Sequence, residues 1–323
     1  MTMAKLAKLC GVSVSTVSKV FSGSAEISEE TRNKVVALAK EAGCFEKYFK
    51  PHYPKKQIGV ICPEVLGIHY SKLATDIEKN FHKRGATMLL SISNFSAKTQ
   101  NELIEYYVNY LHIDGIILID PVGKIKSYNS VPIVAIGMKN EEQVIDYVNI
   151  DINHAMDASL EYLQKMGHQK IGFIGETLAD NEYHYFLNAM ERNALPVNES
   201  YIEISDKRFY DAGYYGMEGL LGKTELPTVI YAAYSHIAVG VLQKIHESGY
   251  SVPEDFSLIC MDDIQSVPYY PIRLASIQMH LDDLAAIAVR ILFHHLEENQ
   301  PSPKQSVLVK REFLVGETIK RIQ

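Results

Sequence analysis

Segment 2–23 places apolar residues at helical spacing on both sides of a single glycine. Thr2 and Ser13 are favoured helix-capping residues, and each precedes a short amphipathic stretch. Between them, Gly11 offers the positive φ that a sharp turn requires. The pattern predicts two short helices joined by this turn, the second over Val14–Phe21. Their predicted inner faces carry Met3, Leu6, Ala7 and Leu9 in the first helix, and Val17, Val20 and Phe21 in the second.

A third helix and a basic linker follow. Ser28 is placed to cap a helix over Glu29–Ala42, which begins with two glutamates, the favoured charge at that end. Pro51 and Pro54 exclude a continuous helix through segment 46–57, which also carries four lysines. The predicted inward face of the third helix carries Val35, Val36, Leu38 and Ala39.

From Ile58 onward, short apolar runs alternate with amphipathic stretches. The first predicted strands are IGVICPE, TMLLSIS, GIILID, PIVAIG and YVNID, with helices over 69–84 and 99–111. The same rhythm restarts at Asn153, with helices over 153–166, 181–192, 210–221, 235–248 and 281–299. Such alternation predicts parallel sheets with helices on both faces, here in two similar halves with a cleft between them. In such sheets, ligands bind beyond the carboxyl ends of the strands.

The N-terminal pattern also predicts chemistry. Two short helices joined by a glycine turn form a helix-turn-helix, whose second helix lies in the DNA major groove. Residues on its outer face that can reach base edges are Val14, Ser15 and Lys19. Small hydroxyl side chains suited to phosphate oxygens are Thr2, Ser13, Thr16, Ser18 and Ser28. Two helices of an ordinary bundle are the alternative, but A-x-x-x-GVS-x-STVSKV is a far denser match than a lone glycine turn.

The N-terminal segment, extended through SEETRNKV, resembles the headpiece of the lactose-repressor (LacI/GalR) family of bacterial transcription regulators. KMGHQKIGFIG, GYSVPEDFSLICMDDI and LASIQM resemble further segments of that family, so the resemblance covers nearly the full length. It implies a small all-α helix-turn-helix headpiece (1–45), a linker (46–57) and an α/β bilobed, periplasmic-binding-protein-like body (58–323) with two parallel-sheet, Rossmann-like lobes. The implied lobes are approximately 58–151 with 281–303, and 152–280 with 304–323. The chain is expected to cross between them near Asp151, near 277–280 and near Gln305.

Charge supports this division. The 323 residues carry a net charge of −7, yet residues 1–56 hold 10 Lys and Arg against 5 Asp and Glu, while the remainder holds 22 against 34. A basic N-terminal module on an acidic body places positive charge where the DNA-binding motif lies. The four cysteines are scattered without paired spacing, which favours buried hydrophobic positions over disulfides or a zinc site. No membrane span or signal region is apparent, so we expect a cytoplasmic protein.

Acidic residues at predicted strand ends are candidates for the cleft. These are Glu64, Asp120, Asp151, Asp262 and Asp263. A carboxylate can accept two sugar hydroxyl hydrogen bonds at once, whereas the alternative for each is a helix cap or a surface turn. The resemblance implies that Asp262, in the DD pair, binds the effector. Aromatic side chains that could stack on a sugar or a base, or simply pack, are Tyr70, Tyr183, His184 and Tyr234.

The chain departs from the family at several places. Glu182 stands where relatives carry an effector-binding Arg, and Tyr234-Ser235 replaces an Asn-Asp pair. An anion cannot recognise the group that a cation binds, so the effector is expected to differ from a simple hexose. Lys19 stands where relatives usually have Arg, and Lys lacks the forked geometry that contacts guanine. The linker lacks the Pro-Asn pair and the hinge helix of the relatives, which leaves Phe49 and Tyr48 as possible minor-groove wedges.

The predicted function is an effector-controlled DNA-binding regulator, a repressor of a carbohydrate-use operon that acts as a homodimer on a palindromic operator. The expected effector-binding residues are Tyr70, Asp120, Glu182, Tyr234 and Asp262. No cofactor or metal is predicted, and no motif of hydrolases, P-loop proteins or zinc proteases is present. The alternatives are a regulator that responds to a phosphosugar, a nucleobase or a protein partner, a solute-binding protein, and an enzyme on a similar bilobed body.

Overall fold

The computed structural model describes residues 1–22, 24, 26–48, 56–128, 130–137, 145–262, 272–297 and 303–322. The N-terminal region contains α1 (Met3–Cys10), α2 (Val14–Phe21), α3 (Glu29–Glu41) and the short α4 (Phe45–Tyr48). These bounds confirm the three predicted helices. The rest of the linker, 49–55, which includes Phe49 and the two prolines, lies outside the described residues.

A small apolar core unites the N-terminal helices. Its buried members come from α1, α2 and α3, with Cys44 after them: Leu6, Ala7, Cys10, Val17, Val20, Phe21, Val35, Ala39 and Cys44. The prediction was wrong for Leu9, which is 54% exposed. Cys10 takes the inward position instead, because neighbouring residues of a helix are separated by about 100° and Leu9 points away from the side that Cys10 shares with Leu6.

The remaining strands form two six-stranded sheets within the described residues. The first has the order β11-β5-β4-β3-β1-β2, from β1 (Lys56–Cys62), β2 (Ala86–Ile92), β3 (Gly115–Ile119), β4 (Ile133–Gly137), β5 (Asp146–Asp151) and β11 (Ser306–Lys310). The second has the order β12-β10-β9-β8-β6-β7, from β6 (Ile171–Glu176), β7 (Ile202–Ser205), β8 (Val229–Ala232), β9 (Ser257–Cys260), β10 (Ala275–Gln278) and β12 (Glu312–Leu314).

Helices follow most of these strands. They are α5 (Ile68–Lys83), α6 (Ala97–Asn109), α7 (Asn153–Lys165), α8 (Asp180–Arg192), α9 (Phe209–Leu221), α10 (Ser235–Glu247) and α11 (Leu281–Glu297), with a 3-10 turn at Glu199–Tyr201. Strands β3, β4, β6, β8 and β9 are buried along their whole length. This is expected for parallel strands covered on both faces. The predicted fold class is confirmed: a helical headpiece and a bilobed α/β body.

Two details of the body differ from the prediction. β10 lies in the segment LASIQM, which was not predicted as a strand, although it forms one that is buried throughout. β12 runs antiparallel to β10, with Ile277 opposite Phe313, so the second sheet is mixed rather than purely parallel.

The chain also passes between the lobes for the last time at a later residue than predicted. β11 pairs in parallel with β5, so Ser306–Lys310 belongs to the first sheet, and the chain passes to the second sheet at Arg311 rather than near Gln305. The cause is Asp146, which is fully buried and accepts hydrogen bonds from the N–H of Gln305 (2.8 Å) and from Lys304 Nζ (3.1 Å). These bonds hold the incoming chain against the edge of the first sheet.

All four cysteines are buried thiols, as predicted. In the part of the chain that the structure describes, no helix is long and apolar enough to cross a membrane. Within the same residues, no cluster of three or more His, Cys, Asp or Glu side chains is arranged to hold a metal ion.

Candidate nucleic-acid interface and ligand cavity

The N-terminal helices are fixed by their caps and by one turn. Thr2 Oγ1 accepts a hydrogen bond from Lys5 N (3.3 Å), and Ser13 Oγ accepts one from Thr16 N (3.0 Å). Gly11 has φ = 68°, and its N–H closes the end of α1. Since a side chain at that φ would be strained, glycine sets the angle between α1 and α2 here, as the sequence predicted.

The residues predicted to contact DNA lie at the surface. Seven of them are exposed, namely Thr2, Ser13, Val14, Ser15, Ser18, Lys19 and Ser28. Thr16 is half-buried. Val14 is an exposed apolar side chain at the N-terminus of α2, with 46% of its surface accessible. The structure therefore places hydroxyl, apolar and cationic groups together on the face of α2 that is opposite its buried Val17, Val20 and Phe21.

The hydroxyl groups differ in what they can still donate. Ser13 Oγ and Thr16 Oγ1 are 2.8 Å apart and share one proton, so the pair keeps a second proton for an outside acceptor such as a phosphate oxygen. Ser28 Oγ already donates to Thr31 Oγ1 (3.0 Å) while it accepts from Thr31 N. At this cap, Thr31 rather than Ser28 has the hydroxyl proton that remains available.

Lys19 has a partner that the sequence did not indicate. Its Nζ forms an ion pair with Glu26, and both side chains are largely exposed. A contact between Lys19 and a base edge or a phosphate therefore competes with Glu26.

The body contains a cavity of about 480 Å³ at the carboxyl ends of strands from both sheets. All five predicted effector-binding residues, Tyr70, Asp120, Glu182, Tyr234 and Asp262, line it. Glu64 lines it as well. The structure brings these six side chains together although they come from widely separated parts of the chain.

Other candidates from the sequence lie elsewhere. Asp151 Oδ1 accepts from the N–H of Asn153 (3.0 Å), which is the helix-capping alternative. The ring of Tyr183 packs on Phe173, and His184 bonds to the carbonyl of Asp180, its neighbour on α8. Neither Tyr183 nor His184 lines the cavity. Asp263 lies outside the described residues.

One arginine joins the two lobes inside the cavity. Arg208 donates from Nη1 and Nη2 to the two oxygens of Glu64 (2.7 and 3.1 Å), and Glu64 follows β1 of the first sheet. Its Nε donates to Glu176 (3.0 Å) at the end of β6 in the second sheet. These charged hydrogen bonds raise the pKa of the Arg208 guanidinium further above its ordinary range.

The residue after Arg208 is held in a rare backbone conformation. Phe209 has φ = 56°, a region that non-glycine residues seldom adopt. Its N–H donates to the second oxygen of Glu176 (3.0 Å). The ring of Phe209 lies edge-on to Tyr234 and His236 and directly under the Arg208 guanidinium (4.3 Å). Glu176 therefore fixes both the backbone and the cation at the start of α9.

Close packing at the end of β3 fixes the position of the Asp120 carboxyl group. Its φ is 41°, and an added Cβ on Gly137 would lie 2.4 Å from Asp120 Oδ1. The Tyr70 hydroxyl hydrogen-bonds to the carboxyl group, and His69 Nε2 is 3.8 Å from it. Burial raises the pKa of Asp120, an effect that His69, Arg311 and Tyr70 oppose. Burial also lowers the pKa of His69, an effect that the neighbouring Asp120 opposes.

Glu182 and Arg311 complete the polar wall. Burial raises the pKa of Glu182 to about 7, with Arg311 acting against the shift and Asp120 and Asp262 adding to it. Arg311 is 7% exposed, and its Nη1 donates to the carbonyl of Met261 (2.8 Å). A cation is therefore present near Glu182, but it comes from Arg311, at the crossing between β11 and β12.

Sequence reasoning missed Arg208, Arg311 and Glu176. Arg208 lies two residues before the helix predicted over 210–221, and Arg311 lies in a C-terminal segment for which no element was predicted, so no local pattern marked either residue. Glu176 directly follows the predicted strand GHQKIGFIG, and its position at a strand end is the same signal that identified Glu64 and Asp120.

Comparisons with known proteins agree with this architecture. Residues 2–44 match the model for bacterial regulatory proteins of the lacI family, and residues 160–319 match a periplasmic binding protein-like domain. Catabolite control protein A of Priestia megaterium is 27% identical over 311 residues, covering 92% of this chain and 93% of that protein. The HTH-type transcriptional repressor PurR of Escherichia coli O139:H28 is 27% identical over 320 residues, covering 94% and 92%.

A solved structure of the lac repressor dimer, bound to operator and the anti-inducer ONPF, superposes with a TM-score of 0.73 at 19% identity and covers 99% of both chains. That likeness shows the fold. The helix-turn-helix headpiece, the bilobed body and the two family matches together identify the chain as a member of the lacI family of bacterial regulatory proteins, which are DNA-binding transcription regulators and not enzymes.

Proposed function

We propose that the protein is a transcriptional repressor that binds a specific operator as a homodimer and is controlled by a small molecule in the cavity of its body. The observation that carries the proposal is the exposed face of α2, where Val14, Ser15 and Lys19 lie beside the Ser13–Thr16 hydroxyl pair. Base edges are recognised by the first three side chains, and phosphates by the hydroxyl groups, together with Thr2, Ser18 and the pair formed by Ser28 and Thr31, whose free proton is on Thr31.

The sign of regulation and the dimer come from relatives. PurR, which is similar over most of the chain, is named as a repressor, and the lac repressor structure is a dimer on its operator. A two-fold dimer places two copies of α2 on half-sites about one helical turn apart, so the operator is a near-palindrome. The proposal places the protein in the cytoplasm, where the DNA is.

The body supplies control. A cavity whose wall comes from both lobes changes when the lobes rotate, and Arg208 already bonds to carboxylates of both. A ligand that binds one arrangement of the lobes more tightly shifts the protein toward it, and the effect on operator affinity equals the effect of operator on ligand affinity. Residues 1–45 are proposed as the DNA-binding domain, 46–57 as the linker and 58–323 as the effector-binding and dimerisation domain.

Capture of genomic DNA tests the proposal. The full-length protein is incubated with sheared DNA from its own source, and retained fragments are sequenced with and without a metabolite extract. We expect one or a few enriched fragments that share a near-palindrome, with enrichment changed by the extract. Uniform retention of all fragments would show that the basic headpiece binds phosphates without reading sequence, and would contradict the proposal.

A further inference from the structure

Arg208 contacts side chains of both lobes, but it is anchored in only one of them. In the second lobe, its Nε donates to Glu176 Oε1 (3.0 Å), and the adjacent N–H of Phe209 donates to Glu176 Oε2 (3.0 Å). The guanidinium carbon also lies over the Phe209 ring, 4.3 Å from its centre. Because Arg208 directly precedes α9, these contacts stay together when the second lobe moves.

The first lobe presents a separate pair of contacts to the same guanidinium. The two oxygens of Glu64 accept from its Nη1 and Nη2 (2.7 and 3.1 Å), and the ring centre of Phe95 is 5.8 Å from its carbon atom. Glu64 follows β1, and Phe95 follows β2. The guanidinium is therefore shared by two carboxylates, one from each lobe, and by two aromatic rings that are divided in the same way.

The backbone of the first lobe holds Glu64 and Phe95 beside each other. The N–H of Asn94 donates to the carbonyl of Pro63 (2.9 Å), so the turn after β2 is joined to the turn that carries Glu64. Asn94 and Phe95 have φ values of 53° and 56°, a region that non-glycine residues seldom adopt. Such strained residues cluster at ligand clamps and switch regions, where the surrounding structure holds them in place. Here they position the Phe95 ring next to the Glu64 carboxylate.

Burial makes these contacts differ from an ordinary surface ion pair. Exposed ion pairs contribute little to stability, because water solvates both charges once the pair is broken. The side chains of Glu64 and Glu176 are only 10% and 2% exposed, whereas that of Arg208 is 32% exposed. Withdrawal of the guanidinium from Glu64 is therefore unfavourable until the cleft admits water. Breaking this contact and separating the lobes are coupled for that reason.

We propose that Arg208, Glu64 and Phe95 form a clasp that holds the two lobes together, so that Arg208 acts as a ligand built into the chain. Opening of the cleft breaks the contacts of Arg208 with Glu64 and Phe95 but keeps its contact with Glu176. All three residues of the clasp line the cavity, so an effector that binds there competes with their mutual contacts and shifts the arrangement of the lobes. The inference rests on the proposed function, since it names the contact through which the cavity controls operator binding.

The distance between the lobes tests the clasp in the full-length protein. Nitroxide labels are attached at Glu102→Cys in α6 of the first lobe and at Thr224→Cys, after α9 in the second, both of which are exposed positions. The four native cysteines are buried, which favours labelling of the two new ones. Double electron–electron resonance then measures the distribution of distances. We expect Arg208→Ala and Glu64→Gln each to shift or broaden it relative to the unsubstituted labelled protein.

A matched ion pair within one lobe provides the control. Arg192 on α8 donates from Nε and Nη2 to Asp157 on α7, at distances of 2.8 to 3.2 Å, and both residues lie in the second lobe. Arg192→Ala is expected to leave the distance distribution unchanged. An equal change in Arg192→Ala, or an unchanged distribution in both Arg208→Ala and Glu64→Gln, would overturn the proposal.

Free guanidinium ion distinguishes loss of the clasp from a general loosening of the fold. The ion carries the same planar set of donors as the Arg208 side chain. At concentrations far below those that denature proteins, we expect it to restore the original distances in Arg208→Ala. It should not restore them in Glu64→Gln, because that variant lacks the carboxylate across the cleft. No recovery in Arg208→Ala, or equal recovery in both variants, would overturn the proposal.

Operator binding is measured separately, with the captured fragments. We expect Glu64→Gln to change operator affinity in the same direction as the metabolite extract changes it in the wild type, and to respond severalfold less to the extract. If the lobes separate in Glu64→Gln while its operator affinity and its response match the wild type, control through the clasp fails and the proposed function stands. If no fragment is bound specifically, the proposed function fails, and the distances alone decide whether the clasp joins the lobes.

Discussion

Arg208 reaches from the start of α9 in the second lobe to Glu64 in the first, and meets its carboxylate with two hydrogen bonds of 2.7 and 3.1 Å. A guanidinium and a carboxylate in this forked arrangement form one of the stronger polar contacts in proteins. Because Glu176 holds the same arginine from behind, the contact joins the carboxyl ends of two sheets. The lobes are therefore connected through the cavity by the protein's own side chains.

Replacement of Arg208 should lower the stability of the protein strongly, because its two carboxylate partners are buried. In Arg208→Gln, Glu64 and Glu176, whose side chains are 10% and 2% exposed, are left as buried carboxylates without a cation. We expect the free energy of unfolding to fall by about 3 kcal/mol. Urea denaturation measures the change.

A second substitution tests whether the unpaired carboxylates cause this loss of stability. Adding Glu176→Gln removes one of the two unpaired charges, so the double variant should be more stable than Arg208→Gln alone. If the two substitutions were simply additive, the residues would not act as one charged unit.

Glu182 should make stability depend on pH. Its pKa of about 7 lies above the ordinary 4.5, so its stabilising contribution is complete below pH 4.5 and is lost as the pH rises through 7. Glutamine does not ionise, so the Glu182→Gln variant should not lose this stability as the pH rises. We expect the variant to match the wild type at pH 4.5 and to exceed it at pH 8 by up to about 3 kcal/mol, measured from melting curves. A difference that is constant across this range would mean that Glu182 titrates as it does in the unfolded chain.

Gly137 should be required for the position of Asp120. In Gly137→Ala, the new methyl group would lie 2.4 Å from Asp120 Oδ1, at a backbone φ of 134°. We expect a loss of stability of about 1–3 kcal/mol from strain, together with weaker ligand binding. Gly249→Ala is the control, since Gly249 has φ = 80° but open space around it. Equal loss of ligand binding in both variants would exclude displacement of Asp120 as the cause.

The sequence predicted the elements better than it predicted the cavity. Helix caps such as Ser13 and turns such as Gly11 depend on neighbouring residues, so local patterns were enough to place α1, α2 and α3. The acids at strand ends, such as Asp120, followed from topology. Arg311 did not, because its role depends on the chain crossing between the sheets after Lys310, and that register is fixed by the distant, buried Asp146.

The headpiece also contains a residue, Lys19, whose contacts depend on a separate segment of the chain. Lys19 was placed on the outer face of α2 by helical periodicity alone, and the structure agrees. Its ion pair with Glu26 was not predictable, because Glu26 lies beyond the end of the helix, in a segment whose path no local pattern fixes. Contacts that depend on how two segments fold back on each other were those that sequence reasoning missed.

Lys19→Ala should weaken binding to the operator more than binding to unrelated DNA. A cation that contacts a base edge contributes about 1–3 kcal/mol of discrimination, which a phosphate contact does not. Fluorescence anisotropy with a captured fragment and with a scrambled fragment measures both affinities. Lys5→Ala is a control from the neighbouring helix, expected to weaken both alike. Equal losses on the two fragments for Lys19→Ala would place this lysine on the backbone.

Glu26→Gln should act in the opposite direction. In the free protein, Glu26 holds Lys19, so DNA binding must break that ion pair and bring a carboxylate toward phosphates. Removing the charge takes away both costs, and the exposed pair itself is worth only about 0–1 kcal/mol, so stability should hardly change. We expect a severalfold gain in affinity that shrinks as salt is added, because the repulsion is screened. Glu41→Gln, at the far end of α3, is the control for a general change in headpiece charge. If both variants gained equally, net charge would explain the effect; a gain specific to Glu26→Gln that disappears in the Lys19→Ala background would show that the two residues are coupled.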